Sequence, residues 1–312
     1  MGYGLSTREA YGRVLVELGN RNEDIVVLDA DLTKSTMTHD FFQKFPDRAF
    51  NCGIAEQNMI GIAAGLEASG KIVFASSFAV FATTRCMDQL RLSVAQPRRN
   101  VKIVGTHSGI SVGEDGSSHQ AIEDLALACA LPGFSVIAPA DDIETMQAVR
   151  VAANVNGPFY IRLSRPKSPS VNREGYRFGL GKAVTLRRGT DVTIIANGLM
   201  VVRALEAADH MKGIINCRVL NMPTLKPLDR KAIVKAAVDT GAIVTAEEHS
   251  EYGGLFSMVA KTVVSSNPVP MESVAIRDTF AKSGKSEELF KAYGLSSTAI
   301  EEAVQSVVFR KK

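Results

Sequence analysis

The chain has 312 residues, of which 46% are hydrophobic and 22% charged, a length that predicts two domains of an ordinary water-exposed globular kind. A net charge of +3 from scattered basic residues leaves no footprint for nucleic acid, and no apolar run reaches membrane-spanning length. The opening MGYGLSTREA lacks the apolar core of a secretory signal, and Cys52, Cys86, Cys129 and Cys217 lie far apart in apolar segments, as reduced core thiols of a cytoplasmic protein would.

Ser6 followed by Glu9 is a capping-box pattern and predicts a helix to about Leu18. IVVLDAD (25–31) is a short apolar run ending in acids, the pattern of a buried parallel strand with functional groups at its carboxyl end. NCGIAEQN (51–58) opens a helix whose apolar positions Met59, Ile62, Ala63 and Leu66 recur at three- and four-residue spacing. KIVFASS (71–77) precedes a helix to about Val94, and VKIVGTH (101–107) precedes a glycine-rich loop and the helix AIEDLALACA. FSVIAPA leads to a helix capped by Asp141 or Asp142, and GPFYIRLSR closes this half. Strand and helix alternate throughout, which predicts an α/β fold: an open, mostly parallel sheet with helices on both faces.

Composition shifts to Pro, Ser, Gly and charge over residues 166–181. The expected organisation is a first domain over 1–168, a linker over 169–184 and a second, smaller α/β domain over 185–312. In the second, DVTIIANG, INCRVLNMPTLKPLD and TGAIVTAEEHSEYGG read as strands, with helices near 199–211, 229–238 and 254–264.

Three stretches could carry chemistry. Glu56 sits in the first turn of its helix, where a carboxylate at the least offsets the positive end of the helix dipole. THSGISVGEDGSSHQ (106–120) leaves the end of a strand, where parallel sheets take ligands, but its two histidines are too far apart for ligands on one helical turn and predict no zinc site. Phe78 and Phe81 are three residues apart near a helix start, as plain core or as a platform for a flat ring. The phosphate loop GxxxxGK[ST], the GxGxxG fingerprint and the GxSxG elbow are all missing.

ADLTKS (30–35), GIAEQN (53–58), SSFAVF (76–81), THSGISVGEDGSSHQ (106–120), RLSR (162–165) and KPLD (226–229) occur in one order and spacing, and together they resemble the transketolases and their thiamine-diphosphate relatives. The resemblance covers nearly the whole chain and corresponds to the carboxyl-terminal half of a full-length transketolase: a pyrimidine-binding domain followed by the transketolase C-terminal domain. It implies thiamine diphosphate as cofactor, whose C2 becomes a nucleophile once its own 4′-amino group takes the C2 proton. A carboxyl group on N1′ of the pyrimidine promotes that transfer, and the family's glutamate matches Glu56. Burial is expected to raise the pKa of such an acid so that it shares a proton with the ring. Phe78 and Phe81 match the aromatic positions that hold the aminopyrimidine. Asp115 and His119 match groups that hydrogen-bond the donor ketose, and Arg8, Ser35, His107 and Arg165 match the set that binds the sugar phosphate. At Thr84 the sequence departs from the family's usual tyrosine, and Ser117–Ser118 stand where Pro-Thr is common.

The family's GDG motif, with the asparagine that completes its magnesium and diphosphate site, is missing; the one DG is Asp115–Gly116 in the substrate loop. The chain starts directly at the pyrimidine domain with its own methionine and capping box. The expectation is therefore a subunit of a split transketolase, a transferase of a two-carbon ketol unit from a ketose phosphate to an aldose. Its partner carries the diphosphate-binding half and the Mg (or Ca), this chain holding no metal, in a two-plus-two heterotetramer with self-dimer contacts. Its substrates are sugar phosphates, and neither nucleic acid nor membrane is a partner. The alternatives are the beta subunit of a 2-oxo-acid dehydrogenase decarboxylase, a deoxyxylulose-phosphate-synthase-like enzyme, and a non-catalytic subunit that keeps the fold. GEDGSSHQ with His107 and Arg165 favours sugar phosphates.

Overall fold

The computed structural model describes residues 2–173 and 175–311. In chain order the strands are β1 (Tyr3–Ser6), β2 (Ile25–Asp29), β3 (Ala49–Asn51), β4 (Ile72–Phe78), β5 (Val101–Thr106), β6 (Ser135–Ile137), β7 (Phe159–Arg162), β8 (Lys167–Pro169), β9 (Val184–Arg187), β10 (Val192–Ala196), β11 (Cys217–Asn221), β12 (Thr224–Lys226), β13 (Ile243–Ser250) and β14 (Met271–Ile276). They form a seven-stranded sheet in the order β12-β6-β7-β5-β4-β2-β3, a five-stranded sheet in the order β14-β13-β10-β11-β9, and the small antiparallel pair β1-β8. Pairings in the large sheets are parallel except for the edge strands β12 and β9. The α/β reading holds.

The expected helices form where their caps allow. The first runs over Thr7–Arg21 with a complete capping box: Glu9 N donates to Ser6 Oγ and Ser6 N donates to the Glu9 carboxylate at 2.7 Å. Of the two candidate caps at the later helix, Asp141 is the one used; its Oδ1 accepts Glu144 N, and the helix is Asp142–Asn154. Strands β2, β5 and β10 are buried along their whole length because helices cover both faces of each sheet.

Four local expectations are corrected. In the helix Glu56–Ala68 the buried residues are Glu56, Met59, Ile60, Ala63 and Ala64, whereas Ile62 is exposed. Ile62 shares that outward side with Gly61 and Gly65, so the apolar stripe is turned about a quarter-turn from the predicted one. The predicted helix after β4 is interrupted by wide π turns over Phe81–Arg85 and Leu90–Ala95, which carry an extra residue per turn. AIEDLALACA becomes helical only from Asp124. INCRVLNMPTLKPLD is not one strand of the second unit: β11 stays there, but β12 crosses back and closes the edge of the first sheet antiparallel to β6. Leu220, Met222 and Leu225 accordingly join the apolar cluster that contains Val26, Met59 and Ile103 of the first sheet.

The stretch after Arg165 is tied down. β8 pairs with β1 at the start of the chain, and Asp141 Oδ2 accepts the backbone N–H groups of Val171 and Asn172 at 2.8 and 2.7 Å. The two units meet at the carboxyl ends of the second sheet. There the strand order reverses between β10 and β13, the place where an open α/β sheet ordinarily takes a ligand. Here the first unit's glycine-rich loop meets that edge: Ser111 N donates to the Glu248 carboxyl, and Gly109 sits so close that a Cβ would lie 2.3 Å from Glu248. With a φ of +69°, position 109 admits glycine on both counts.

Candidate active site

The residues singled out in the sequence gather at one edge of the first sheet. Arg165 follows β7, the loop of His107, Asp115 and His119 follows β5, Phe78 ends β4, Ser35 follows β2 and Glu56 follows β3, and these strands are consecutive neighbours. A parallel sheet delivers all its strands in the same direction, so residues distant in sequence arrive at one rim. Arg8 joins from the first turn of the opening helix.

The aromatic part is a cluster of four rings. Phe78 and Phe81 lie nearly parallel, with centroids 5.8 Å apart and planes inclined by 14°. His107 stacks on Phe78 at 3.9 Å, and His119 stands edge-on to both phenylalanines at 6.0 and 5.2 Å. His107, grouped above with the phosphate ligands, is thus part of the aromatic wall. Its backbone has a φ of +54°, uncommon for a residue with a side chain and a conformation that clusters at functional sites. Burial first, then the charges of Arg8, Arg165 and His119, push its pKa down to about 3, so the ring is a neutral imidazole with Nδ1 3.0 Å from Thr106 Oγ1.

Glu56 is buried to 2% exposure, and its Oε2 accepts from Arg85 Nη1 at 2.6 Å. The acid has a cationic partner that the sequence reading did not name. The Arg85 guanidinium lies 4.6 Å from the Phe81 ring centre, so Glu56, Arg85, Phe81, Phe78 and His107 form one continuous chain of contacts. Sequence reasoning missed Arg85 although it follows Phe81 by four residues, a spacing that puts two side chains on one side of a helix; its ion pair depends on the separate helix that carries Glu56 packing alongside.

The charged part lies beside it. Arg8 donates from Nη1 to the carbonyl of Ser35 at 2.7 Å and from Nε to that of Arg165 at 3.3 Å. Arg165 donates to the carbonyl of Val112 and stands 3.9 Å from the exposed Asp115. Burial and the like charge of Arg165 lower the pKa of Arg8, the mark of two guanidiniums held close without a full complement of anions. Ser118 Oγ is 2.9 Å from His119 Nδ1. Among the described residues no group of three or more His, Cys, Asp and Glu is placed to hold a metal.

The geometry fits an aminopyrimidine: a buried carboxylate beside a near-parallel pair of phenylalanines suits a flat ring with nitrogen donors. The fold and the site define a pyrimidine-binding unit of the thiamine-diphosphate kind joined to a second α/β unit. The comparisons agree. Residues 4–170 match the family described as the transketolase pyrimidine binding domain, and residues 181–300 match the transketolase C-terminal domain. The chain belongs to the transketolase family. It is 42% identical over 305 residues to the 6-deoxy-6-sulfo-D-fructose transketolase subunit SqwH of a Clostridium species, covering 97% of this chain and 95% of that one. It is 39% identical over 313 residues to human transketolase, covering 99% of this chain but 50% of the human one. Among solved structures, a split-gene transketolase described as an inactive beta4 tetramer superposes with a TM-score of 0.93 at 49% identity, covering 99% of this chain and 100% of that one. No described helix is long and apolar enough to cross a membrane.

Proposed function

We propose that this chain is the carboxyl-terminal subunit of a two-subunit transketolase, active only with a partner that supplies the diphosphate- and metal-binding half. The observation that carries this reading is Glu56: an acid buried at the rim of a sheet, beside an aromatic pair, on a chain that spans 95% of a transketolase subunit and half of a single-chain transketolase. In this reading bound thiamine diphosphate supplies the carbanion chemistry. The side chains of this subunit do the rest. Glu56 accepts the proton-bearing ring nitrogen, Phe78 and Phe81 hold the ring, His119 and Asp115 hydrogen-bond the donor ketose, and Arg8, Ser35, His107 and Arg165 take its phosphate. The neutral His107 can give the phosphate one N–H, so the two guanidiniums carry the charge.

The partner is further supported by an exposed apolar surface next to the acid. Ile54, Phe50, Ile62 and Leu92 are 80%, 39%, 36% and 47% exposed, and Gly61 and Gly65 leave the outward side of the Glu56–Ala68 helix flat. A surface of this kind suits a close helix contact with the half that completes the cofactor site. A two-plus-two assembly, sugar-phosphate substrates and a cytoplasmic location complete the reading.

Isothermal titration tests the division of the site. Thiamine diphosphate with Mg2+ should bind the mixed subunits and not this chain alone; tight binding by the chain alone would remove the need for a partner. Turnover of xylulose 5-phosphate by the pair supports the substrate class, and turnover of pyruvate in its place would overturn it.

A further inference from the structure

Arg85 sits where a flat cation is wanted. Its guanidinium stacks on Phe81 at 4.6 Å and its Nη1 donates to Glu56 at 2.6 Å, so one planar group faces both the ring and the acid. A protonated aminopyrimidine shares these features: a flat delocalised cation, a ring N–H that donates to a carboxylate, and a face that stacks on a phenyl ring. The two partners differ in freedom. Glu56 is fixed in the first turn of a helix at 2% exposure, whereas the Arg85 side chain is 45% exposed. The Arg85 backbone is pinned, because Gln57 Nε2 donates to its carbonyl at 3.0 Å, and it closes a π turn, so movement is confined to the side chain. Among the described residues Arg85 is the one cation within ion-pair distance of Glu56. Without it the empty site would hold a bare buried carboxylate, which is strongly unfavourable.

We propose that Arg85 is a resident counter-ion for Glu56, a stand-in that keeps the acid paired and correctly turned in the empty subunit and swings to solvent when the aminopyrimidine enters. Arg85 is a positioning residue in this scheme and does not touch the reacting atoms. The inference rests on the reading of this rim as a thiamine-diphosphate site.

The test uses the full chain assembled with its partner subunit, with thiamine diphosphate and Mg2+ as the probe. In Arg85→Met no ion pair has to be broken, so the cofactor should bind about fivefold or more tightly than in the wild type, with a faster association rate. In a Glu56→Gln background the same change should give no gain. The cofactor-free melting temperature of Arg85→Met should fall below that of the wild type, and saturating cofactor should close the gap. Arg85→Lys keeps the charge but loses the planar edge; it should give an intermediate gain and serves if the Met variant folds poorly. Equal or weaker binding in either variant, with normal binding by the wild type, would place Arg85 in the bound state and overturn the proposal while leaving the proposed function standing. Failure of the wild-type assembly itself to bind would remove both.

Discussion

The Glu248 carboxyl, from the second unit, accepts the backbone N–H of Ser111 in the first at 2.5 Å, and its own main-chain carbonyl accepts Arg162 Nη2 at 2.8 Å. One residue therefore holds both the glycine-rich loop and the strand that leads to Arg165. The loop of Asp115 and His119 is positioned by a domain that contributes none of the candidate site residues.

Burial pushes the Glu248 pKa up to about 7, from an ordinary value of 4.5. The folded chain then holds this proton more tightly than the unfolded chain. The stabilisation is fully present below about pH 4.5 and is lost as pH rises through about 7, a change on the order of 3 kcal/mol. Glu144, also raised to about 7 by burial, acts in the same direction. The melting temperature of the chain should fall between pH 5 and 8. Glu248→Gln, which keeps an acceptor for Ser111, should remove part of that slope, and an unchanged slope would show that Glu248 does not titrate there.

Arg162 and Asp124 form a fully buried pair at 2.8 Å, and Tyr160 donates to the same carboxylate at 2.6 Å. Asp124→Ala leaves a buried guanidinium without its anion, which should cost about 3–5 kcal/mol of folding stability. Chemical denaturation would measure it. A loss below about 1 kcal/mol would mean that water reaches the pair.

Glu56→Gln keeps the size of the side chain and removes its charge. Activity of the assembled enzyme should fall by about 10²–10⁴-fold, the range for loss of a positioned acid or base. Far-ultraviolet circular dichroism should not change. Activity within a fewfold of the wild type would support a non-catalytic subunit.

Phe81 is only partly buried, so Phe81→Ala tests stacking with little damage to the core. Loss of one aromatic face should weaken thiamine-diphosphate binding by the assembly by about 0.5–1.5 kcal/mol, two- to tenfold. Titration calorimetry would register it, and an unaltered affinity would remove Phe81 from the cofactor wall.

Arg165→Met should raise KM for phosphorylated ketoses while leaving that for unphosphorylated ones nearly unchanged. The loss of a charge-assisted hydrogen bond, about 1.5–3 kcal/mol, corresponds to a ten- to hundredfold change in the ratio. Equal effects on both substrates would point to a structural role, since Arg165 also donates to the Val112 carbonyl.

The α/β class, the helix caps and most strands were legible in the sequence because they follow from local rules. A capping box closes within four residues, and a parallel strand covered on both faces is apolar along its length. The order and spacing of GIAEQN, SSFAVF and GEDGSSHQ sufficed to name the family and its candidate residues. What the sequence could not supply was anything set by contacts between distant segments. The move of β12 into the first sheet, the outward turn of Ile62, the stacking of His107 on Phe78 and the pairing of Arg85 with Glu56 each depend on which neighbour another strand or helix brings alongside. Periodicity tells which side of a segment is apolar, but only packing decides what that side meets. The four-residue spacing of Phe81 and Arg85 is a local matter, but the acid that Arg85 meets arrives on another helix.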